Sequence, residues 1–221
     1  MSGFLRVFDT GLGEARWNVG ITAALLELRA EGRIPDTLRF HRYRRCLLVG
    51  ASQPVEALRH DDGLEVVRRV TGGGTVAMGP GILAWDLVVR CGPRRDLVGT
   101  TLAQALGRFG VEATFRPPGD VVVADCKLAG LAGAFEGRTC LHQGALLVDC
   151  DPAELAERFC LPVQPVVTLA GLTRPTPTFG AIADAIAAAF SAAFDLPLRR
   201  GTLGRPEQER ADELTFASAA L

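Results

Sequence analysis

The sequence predicts an α/β fold of the α+β type, with a mixed, largely antiparallel sheet flanked by helices. Three features carry that expectation. Segments with helical apolar spacing lie near the start, middle and end of the chain. Extended apolar segments stand both singly between those helices and in a consecutive run joined by tight turns. The strict strand–helix alternation that a doubly wound parallel sheet requires is missing. With 221 residues, 48% hydrophobic and 22% charged, the chain can bury one sizeable core and lacks the composition of a disordered polymer.

In chain order, Leu5–Phe8 reads as a strand, and Glu14–Arg29 as an amphipathic helix carrying Trp17, Ile21, Ala24, Leu25 and Leu28 on one face. Thr37–Tyr43 and Cys46–Val49 read as strands, Pro54–Arg59 as a short helix and Glu65–Val70 as a further strand. A glycine-dense stretch follows, running from Thr71 to Ala77 and on through Gly79-Pro80-Gly81, and it leads into an apolar strand over Ile82–Val89. Asp96–Phe109 has helical spacing and stops at Gly110. Val111–Phe115, Val121–Asp125, Lys127–Phe135 and Thr139–Val148 read as strands, the last two joined by a turn at Glu136-Gly137. Pro152–Phe159 has the pattern of a short helix, residues 162–177 form a proline-punctuated connection, and Thr178–Phe194 is a helix burying Phe179, Ile182, Ile186 and Phe190. Residues 1–200 are expected to form the main unit. After Pro197 the sequence turns polar, and residues 201–221 read as a loosely attached tail.

A formal net charge of −1, from 24 basic and 25 acidic side chains, offers no broad attraction for nucleic acid or anionic lipid. No stretch approaches the ~18 apolar residues of a membrane span, and the N-terminus has no signal-like apolar run, so a cytoplasmic protein is expected. The six cysteines, at positions 46, 91, 126, 140, 150 and 160, form no Cys-x-x-Cys pair and read as free thiols. Lys127 is the single lysine among 24 basic residues, which leaves 23 arginines. A lysine surviving such a bias marks a place where a compact ammonium on a flexible stem is needed, or is a chance survivor.

Two constellations carry chemistry. In Arg68-Arg69-Val70-Thr71-Gly72-Gly73-Gly74-Thr75-Val76, three glycines let backbone approach a ligand while two arginines neutralise an anion; the alternative is a bulged turn with solvated arginines. This is neither a Walker loop, because the lysine lies far downstream, nor a Rossmann fingerprint, because Gly79-Pro80-Gly81 interrupts the helix that should follow. The second constellation comprises Pro117-Pro118-Gly119-Asp120, Cys126-Lys127-Leu128-Ala129-Gly130 and Leu141-His142-Gln143-Gly144-Ala145-Leu146-Leu147. Lys127 stands among apolar residues at a strand start, where its charge needs a carboxylate, an anion or water. Asp120 suits a metal or a local pair, and His142 suits a satisfied histidine in a half-buried strand.

In order and spacing these blocks resemble the lipoate–protein ligase family, within the superfamily of biotin and lipoate ligases and octanoyltransferases. The family's Arg-Arg-x-Ser/Thr-Gly-Gly-Gly-Ala-Val, Asn-Asp, Lys-Ile-Ser-Gly and His-His-Gly-Thr-Leu-Leu segments correspond to Arg68–Val76, Gly119-Asp120, Lys127–Gly130 and His142–Leu147, and the resemblance covers about residues 5–195. It implies the class II synthetase and biotinyl–lipoyl ligase type of fold, with ATP, Mg²⁺ and lipoate or octanoate as reactants. The implied reaction forms lipoyl-AMP and then passes the lipoyl group to a lysine of a lipoyl carrier: a lipoyl domain, an H protein or an H-protein-like carrier of sulfur oxidation. It further implies Lys127 as the catalytic cation, Asp120 at Mg²⁺ or nucleotide, and Arg69, Gly72, Gly73, Gly74, Thr75, Val76, Ala77, Gly130 and His142 at the adenylate and acyl chain. Residues 201–221 would be a vestige or the start of an accessory domain, which a separate partner protein could supply.

The departures from the pattern are Gly119 for Asn, Ala129 for Ser, Gln143 for the second His, and Met78-Gly79-Pro80-Gly81 for His-Asp-x-Gly. Two rival readings remain. One is ATP-independent octanoyl transfer through a cysteine, with Cys160 the best nucleophile and Cys126 the second. The other is a non-catalytic acyl- or carrier-binding module. Biotin ligation is disfavoured because its arginine- and glycine-rich loop is absent.

Overall fold

The computed structural model describes residues 3–54, 64–90, 92–151 and 165–217. Its main sheet is built from β1 (Leu5–Gly13), β2 (Thr37–Tyr43), β6 (Ile82–Arg90), β7 (Thr114–Arg116), β8 (Asp120–Val123), β9 (Cys126–Glu136), β10 (Thr139–Leu147) and β11 (Leu198–Arg200). The spatial order is β11-β1-β2-β6-β10-β9-β8-β7. Only the pairings β11–β1 and β1–β2 are parallel, so the sheet is mixed and mostly antiparallel, as the sequence predicts. A second sheet of three strands packs β3 (Cys46–Val49) between β4 (Glu65–Arg68) and β5 (Val76–Met78). The short helices expected over Pro54–Arg59 and Pro152–Phe159, like Cys91 and Cys160, lie outside the described residues.

Strand alternation divides the main sheet into two chemically different faces. Leu83, Trp85, Leu87 and Val89 of β6 point to one side, where α2 (Arg95–Leu106) and α4 (Phe179–Phe194) cover them with Val98, Leu102, Ile182, Ile186 and Phe190. Residues 82, 84, 86 and 88 point to the other side, under α1 (Ala15–Ala30) and the small sheet. Thr178 caps α4 by accepting from the Ala181 amide at 3.2 Å, which fixes where that helix begins. A one-turn helix, α3 (Leu169–Leu172), occupies the proline-punctuated connection.

α1 has no capping side chain of its own. The Glu65 carboxylate of β4 accepts from the Ala15 and Arg16 amides at 2.9 and 3.1 Å, placing negative charge at the helix N-terminus and tying the small sheet to the helix.

The polar tail is a correction. Residues Leu198–Arg200 add a parallel edge strand to β1, and α5 (Arg205–Ala217) packs along α1. The contact was hidden in the sequence because its apolar groups on the helix are few, Ala211 and Leu214, and charged pairs supply much of the rest. Ala211 is buried against Gly20, where a Cβ would lie 3.0 Å from the Ala211 carbonyl oxygen. Around it, Glu207 pairs with Arg6 at 2.6 Å and Arg210 with Glu27 at 2.8 Å. An Ala211→Leu substitution is expected to lower stability by about 1–3 kcal/mol through overpacking, and so to lower Tm by several degrees. An unchanged melting curve would mean the helix does not dock in solution.

His142 is a second correction. Gln143, Ala145 and Leu147 face the α1 side, so alternation sends His142 to the α2 side, where its Nε2 donates to the Pro93 carbonyl at 2.9 Å. Burial pushes its pKa below 6.5, with the Pro93 bond working against the shift and the Arg95 charge reinforcing it. Because the unfolded chain then binds the proton first, the stability contributed by neutral His142 is present above pH 6.5 and is lost as pH falls below it. Between pH 7.5 and 5.5 the wild type is expected to lose stability relative to His142→Gln in urea unfolding. Parallel profiles for the two proteins would contradict this.

Candidate active site

The site is assembled by one irregularity in the β8–β9 hairpin. Val123 pairs with Cys126 across a two-residue turn in which Ala124 and Asp125 have φ of 46° and 65°, the geometry that suits the twist of a tight hairpin. Two pairs later the register slips: Val122 opposes Lys127, whereas Val121 opposes Ala129, so Leu128 is the extra residue of a bulge. Leu128 and Ala129 therefore both enter the core beneath α2 and α4, and Lys127 and Gly130 both face the other side. The bare Gly130 surface lies under the lysine, since a Cβ there would sit 3.1 Å from both Lys127 Cε and Nζ. The Lys127 backbone is held on its second edge as well, donating to Pro165 O at 2.8 Å and accepting from Val167 N at 2.9 Å.

Lys127 opens onto a cavity of about 580 Å³, within the range of small-molecule sites. The ammonium is 2.7 Å from Asp120 Oδ1, and Arg116 approaches the other carboxylate oxygen at 3.4 Å. Leu48, Met78, Ile82, Ala84 and Leu147 give the cavity an apolar wall, and Lys127, Asp120, Arg95 and the triglycine loop give it a polar one. Such a division suits a ligand with a hydrocarbon end and an anionic end.

The sequence-predicted loop lines this cavity along its whole length: Gly72, Gly73, Gly74, Thr75, Val76 and Ala77 all contribute. Gly73 has φ of +96°, and its carbonyl oxygen lies 1.8 Å from where a Cβ on Gly50 would be, so both positions require glycine. Arg69 also lines the cavity, yet its guanidinium is turned into the loop rather than toward a ligand. It donates to Thr71 Oγ1 at 3.1 Å, Leu48 O at 2.9 Å, Gly72 O at 2.7 Å and Gly74 O at 2.8 Å. In this conformation Arg69 is a clamp that fixes the loop's shape. Burial lowers its pKa, opposed by Tyr43. Arg68 holds the neighbouring turn through the carbonyls of Gly50 and Gln53 at 2.9 and 2.7 Å.

Behind the loop runs a buried polar chain that reaches α1. Thr71 donates to Gln143 Oε1 at 2.8 Å, and Gln143 Nε2 donates to Asp86 Oδ1 at 3.0 Å. Asp86 Oδ2 accepts from Thr22 at 2.8 Å and from Arg39 at 3.2 Å. Arg39 continues to the Asn18 side chain and to Thr10 at 2.9 Å. Burial pushes the Asp86 carboxyl up, Arg39 and the hydrogen bonds from Thr22 and Gln143 oppose it, and burial likewise pulls the Arg39 guanidinium down. His41, 3.8 Å from the same carboxylate, is held well below its ordinary pKa by burial and by Arg39, so it stays neutral and accompanies Tyr43 at 3.2 Å instead of forming an ion pair. Asp86 stands out in the sequence as a single charge inside the apolar run of β6, whereas Arg39 does not, because β2 also carries His41 and Arg42. Nothing in the sequence indicated their partners.

Of the expected site residues, Lys127, Asp120, Gly130, Arg69 and the 72–77 loop share one cavity, and His142 does not. Among the described residues Asp120 is the only carboxylate on the cavity wall, and no group of three or more His, Cys, Asp or Glu forms a metal cluster. One carboxylate is the usual protein share of a Mg²⁺ site completed by phosphate oxygens and water, so Asp120 fits the ion only together with a nucleotide. No described cysteine lines the cavity. Cys46 is buried, its thiol pushed up to about 12 by desolvation and by Glu65 and Glu14. No described helix is long and apolar enough to cross a membrane.

Comparison with known proteins bears on the family and the fold. A protein of Aeropyrum pernix bearing the name lipoate-protein ligase A is 29% identical over 164 residues, covering 67% of this chain and about 60% of the relative. Octanoyltransferase LipM of Kyrpidia tusciae is 24% identical, covering 95% of this chain and 94% of its own. A lipoate-protein ligase A solved with ATP superposes with a TM-score of 0.86 at 23% identity, over 98% of this chain and 95% of its own. The bipartite lipoate protein ligase of Thermoplasma acidophilum, described with its E2 lipoyl domain, gives 0.85 at 22% identity, over 98% and 92%. Residues 14–191 match the lipoyl protein ligase A/B catalytic domain, and the chain belongs to that family.

Proposed function

We propose that this protein is an ATP-dependent lipoate–protein ligase that forms lipoyl-AMP and transfers the lipoyl group to a carrier lysine. The observation that carries the reading is the Lys127 ammonium, set by the bulge into a cavity with an apolar wall and a triglycine loop, 2.7 Å from Asp120. In the first step a lipoate carboxylate oxygen attacks the α-phosphorus of ATP and pyrophosphate leaves. In the second, the ε-amine of the carrier attacks the acyl carbonyl, loses a proton and expels AMP.

Both steps place negative charge on neighbouring oxygens, on phosphorus first and on the tetrahedral carbon next. Lys127 serves both because its stem is flexible and its ammonium has three donors, whereas a guanidinium favours one planar partner. Asp120 parks the ammonium at the polar wall until substrate oxygens take its place. With nucleotide bound, Asp120 would also supply the protein oxygen for Mg²⁺, an ion that neutralises the departing pyrophosphate. The apolar wall takes the eight-carbon chain and excludes water from the activated acid. The carrier is a small lysine-presenting domain; the similarity to a ligase described with its lipoyl domain supports that partner class. A separate accessory domain protein is a further candidate partner.

The second reading, octanoyl transfer through a cysteine, is favoured by the near-complete coverage of LipM. Against it, Cys126 begins β9 but does not line the cavity.

Pyrophosphate exchange separates the two readings. With ATP, Mg²⁺ and lipoate or octanoate, the wild type is expected to show acid-dependent exchange, Lys127→Ala to lose at least about a hundredfold, and Cys160→Ser to retain full activity. Absence of exchange, together with cysteine-dependent acyl transfer from acyl carrier protein, would replace the ligase reading with the transferase. Gly130→Ala provides a geometric test. The added methyl presses only on the flexible end of Lys127, so stability is expected to change by less than about 0.5 kcal/mol while kcat falls about tenfold. Equal activity would show that the ammonium does not act from its place over Gly130.

A further inference from the structure

We propose that Gln143 is a positioning residue for substrate binding, setting the triglycine loop against the cavity through Thr71; the kinetic part of this proposal rests on the ligase reading. The polarity of the chain is fixed from its two charged ends. Asp86 Oδ2 already accepts from Thr22 and Arg39, and Oδ1 accepts from Gln143 Nε2 at 3.0 Å, so the Gln143 amide has a single sensible orientation. Its Oε1 must then face Thr71, whose hydroxyl donates its only proton there at 2.8 Å. The Thr71 oxygen is left as acceptor for Arg69 Nε at 3.1 Å, and the Arg69 NH2 group is left to hold the Gly72 and Gly74 carbonyls.

Every link from Asp86 to Arg69 is a buried side chain with the correct donor or acceptor at each contact. Gln143 is the only member of the chain on the β10 floor of the cavity, so it joins the floor to the loop across 72 residues of sequence. An amide has the minimum equipment for this, one donor for the carboxylate and one acceptor for the hydroxyl. Losing either end frees Thr71 to rotate, and Arg69 then loses the acceptor that orients it over the loop carbonyls.

The test compares wild type with Gln143→Leu, Thr71→Val, Thr71→Ser and the double variant Gln143→Leu/Thr71→Val. In pyrophosphate exchange, KM for ATP and lipoate is expected to rise about tenfold in Gln143→Leu and in Thr71→Val, with kcat changing less than about threefold. The double variant is expected to be no worse than either single change, and Thr71→Ser to match wild type, since it keeps the hydroxyl. Hydrogen exchange of the Gly72 and Ala51 amides, which donate to Gly133 O and Thr71 O, supplies a readout independent of catalysis: faster by at least tenfold in Gln143→Leu and Thr71→Val, unchanged in Thr71→Ser. If the wild type shows no pyrophosphate exchange, the ligase reading fails while the amide protection still decides the positioning role. Unchanged loop protection in Gln143→Leu, or multiplicative effects in the double variant, would overturn the proposal.

Discussion

The site depends on one extra residue in one strand. Without the bulge at Leu128, strict alternation from Gly130 would send Lys127 into the apolar layer beneath α2 and α4, where an ammonium has no partner. With it, lysine and glycine share a face, the strand bends, and Asp120, opposite Gly130, comes within 2.7 Å of the ammonium. The bulge is secured from both edges, by β8 on one side and the Pro165–Val167 segment on the other. Catalytic geometry of this kind is set by backbone register, which resists distortion better than any single side-chain contact.

The second constraint is the charge buried behind the loop. Asp86 and Arg39 are both fully buried, an arrangement that contributes little net stability but that is expensive to break, about 3–5 kcal/mol when one partner is removed. Its value lies in direction. The Asp86 carboxylate, which must accept, and the Arg69 guanidinium, which must donate, leave Gln143 and Thr71 between them one way to point, and a glycine loop with many accessible conformations is thereby held in one. Glycine provides the close approach, and the polar chain removes the freedom that comes with it.

Much of this was legible in the sequence. The long helices and the β9–β10 hairpin follow from apolar period and turn residues, and the single lysine among 23 arginines pointed to the residue now found in the cavity. What could not be read follows from tertiary contact. The α5 helix docks through Ala211, Leu214, Glu207 and Arg210, a set with too few apolar residues to read as a stripe. His142 and Gln143 are adjacent in sequence but lie on opposite sides of the sheet, and only the register shows which one the cavity receives. Arg69 was expected at the ligand because arginines beside glycines suit anions; its donors are instead taken up by carbonyls that the loop fold brings to it.

The most direct test of the account is a crystal structure of the protein with a non-hydrolysable lipoyl-adenylate analogue. Lys127 Nζ is expected to leave Asp120 and lie within about 3.2 Å of both the acyl carbonyl oxygen and the oxygen of the phosphate surrogate, with the hydrocarbon along Met78, Ile82 and Leu147. An analogue bound with Lys127 still on Asp120 and out of reach of both oxygens would contradict the assigned role.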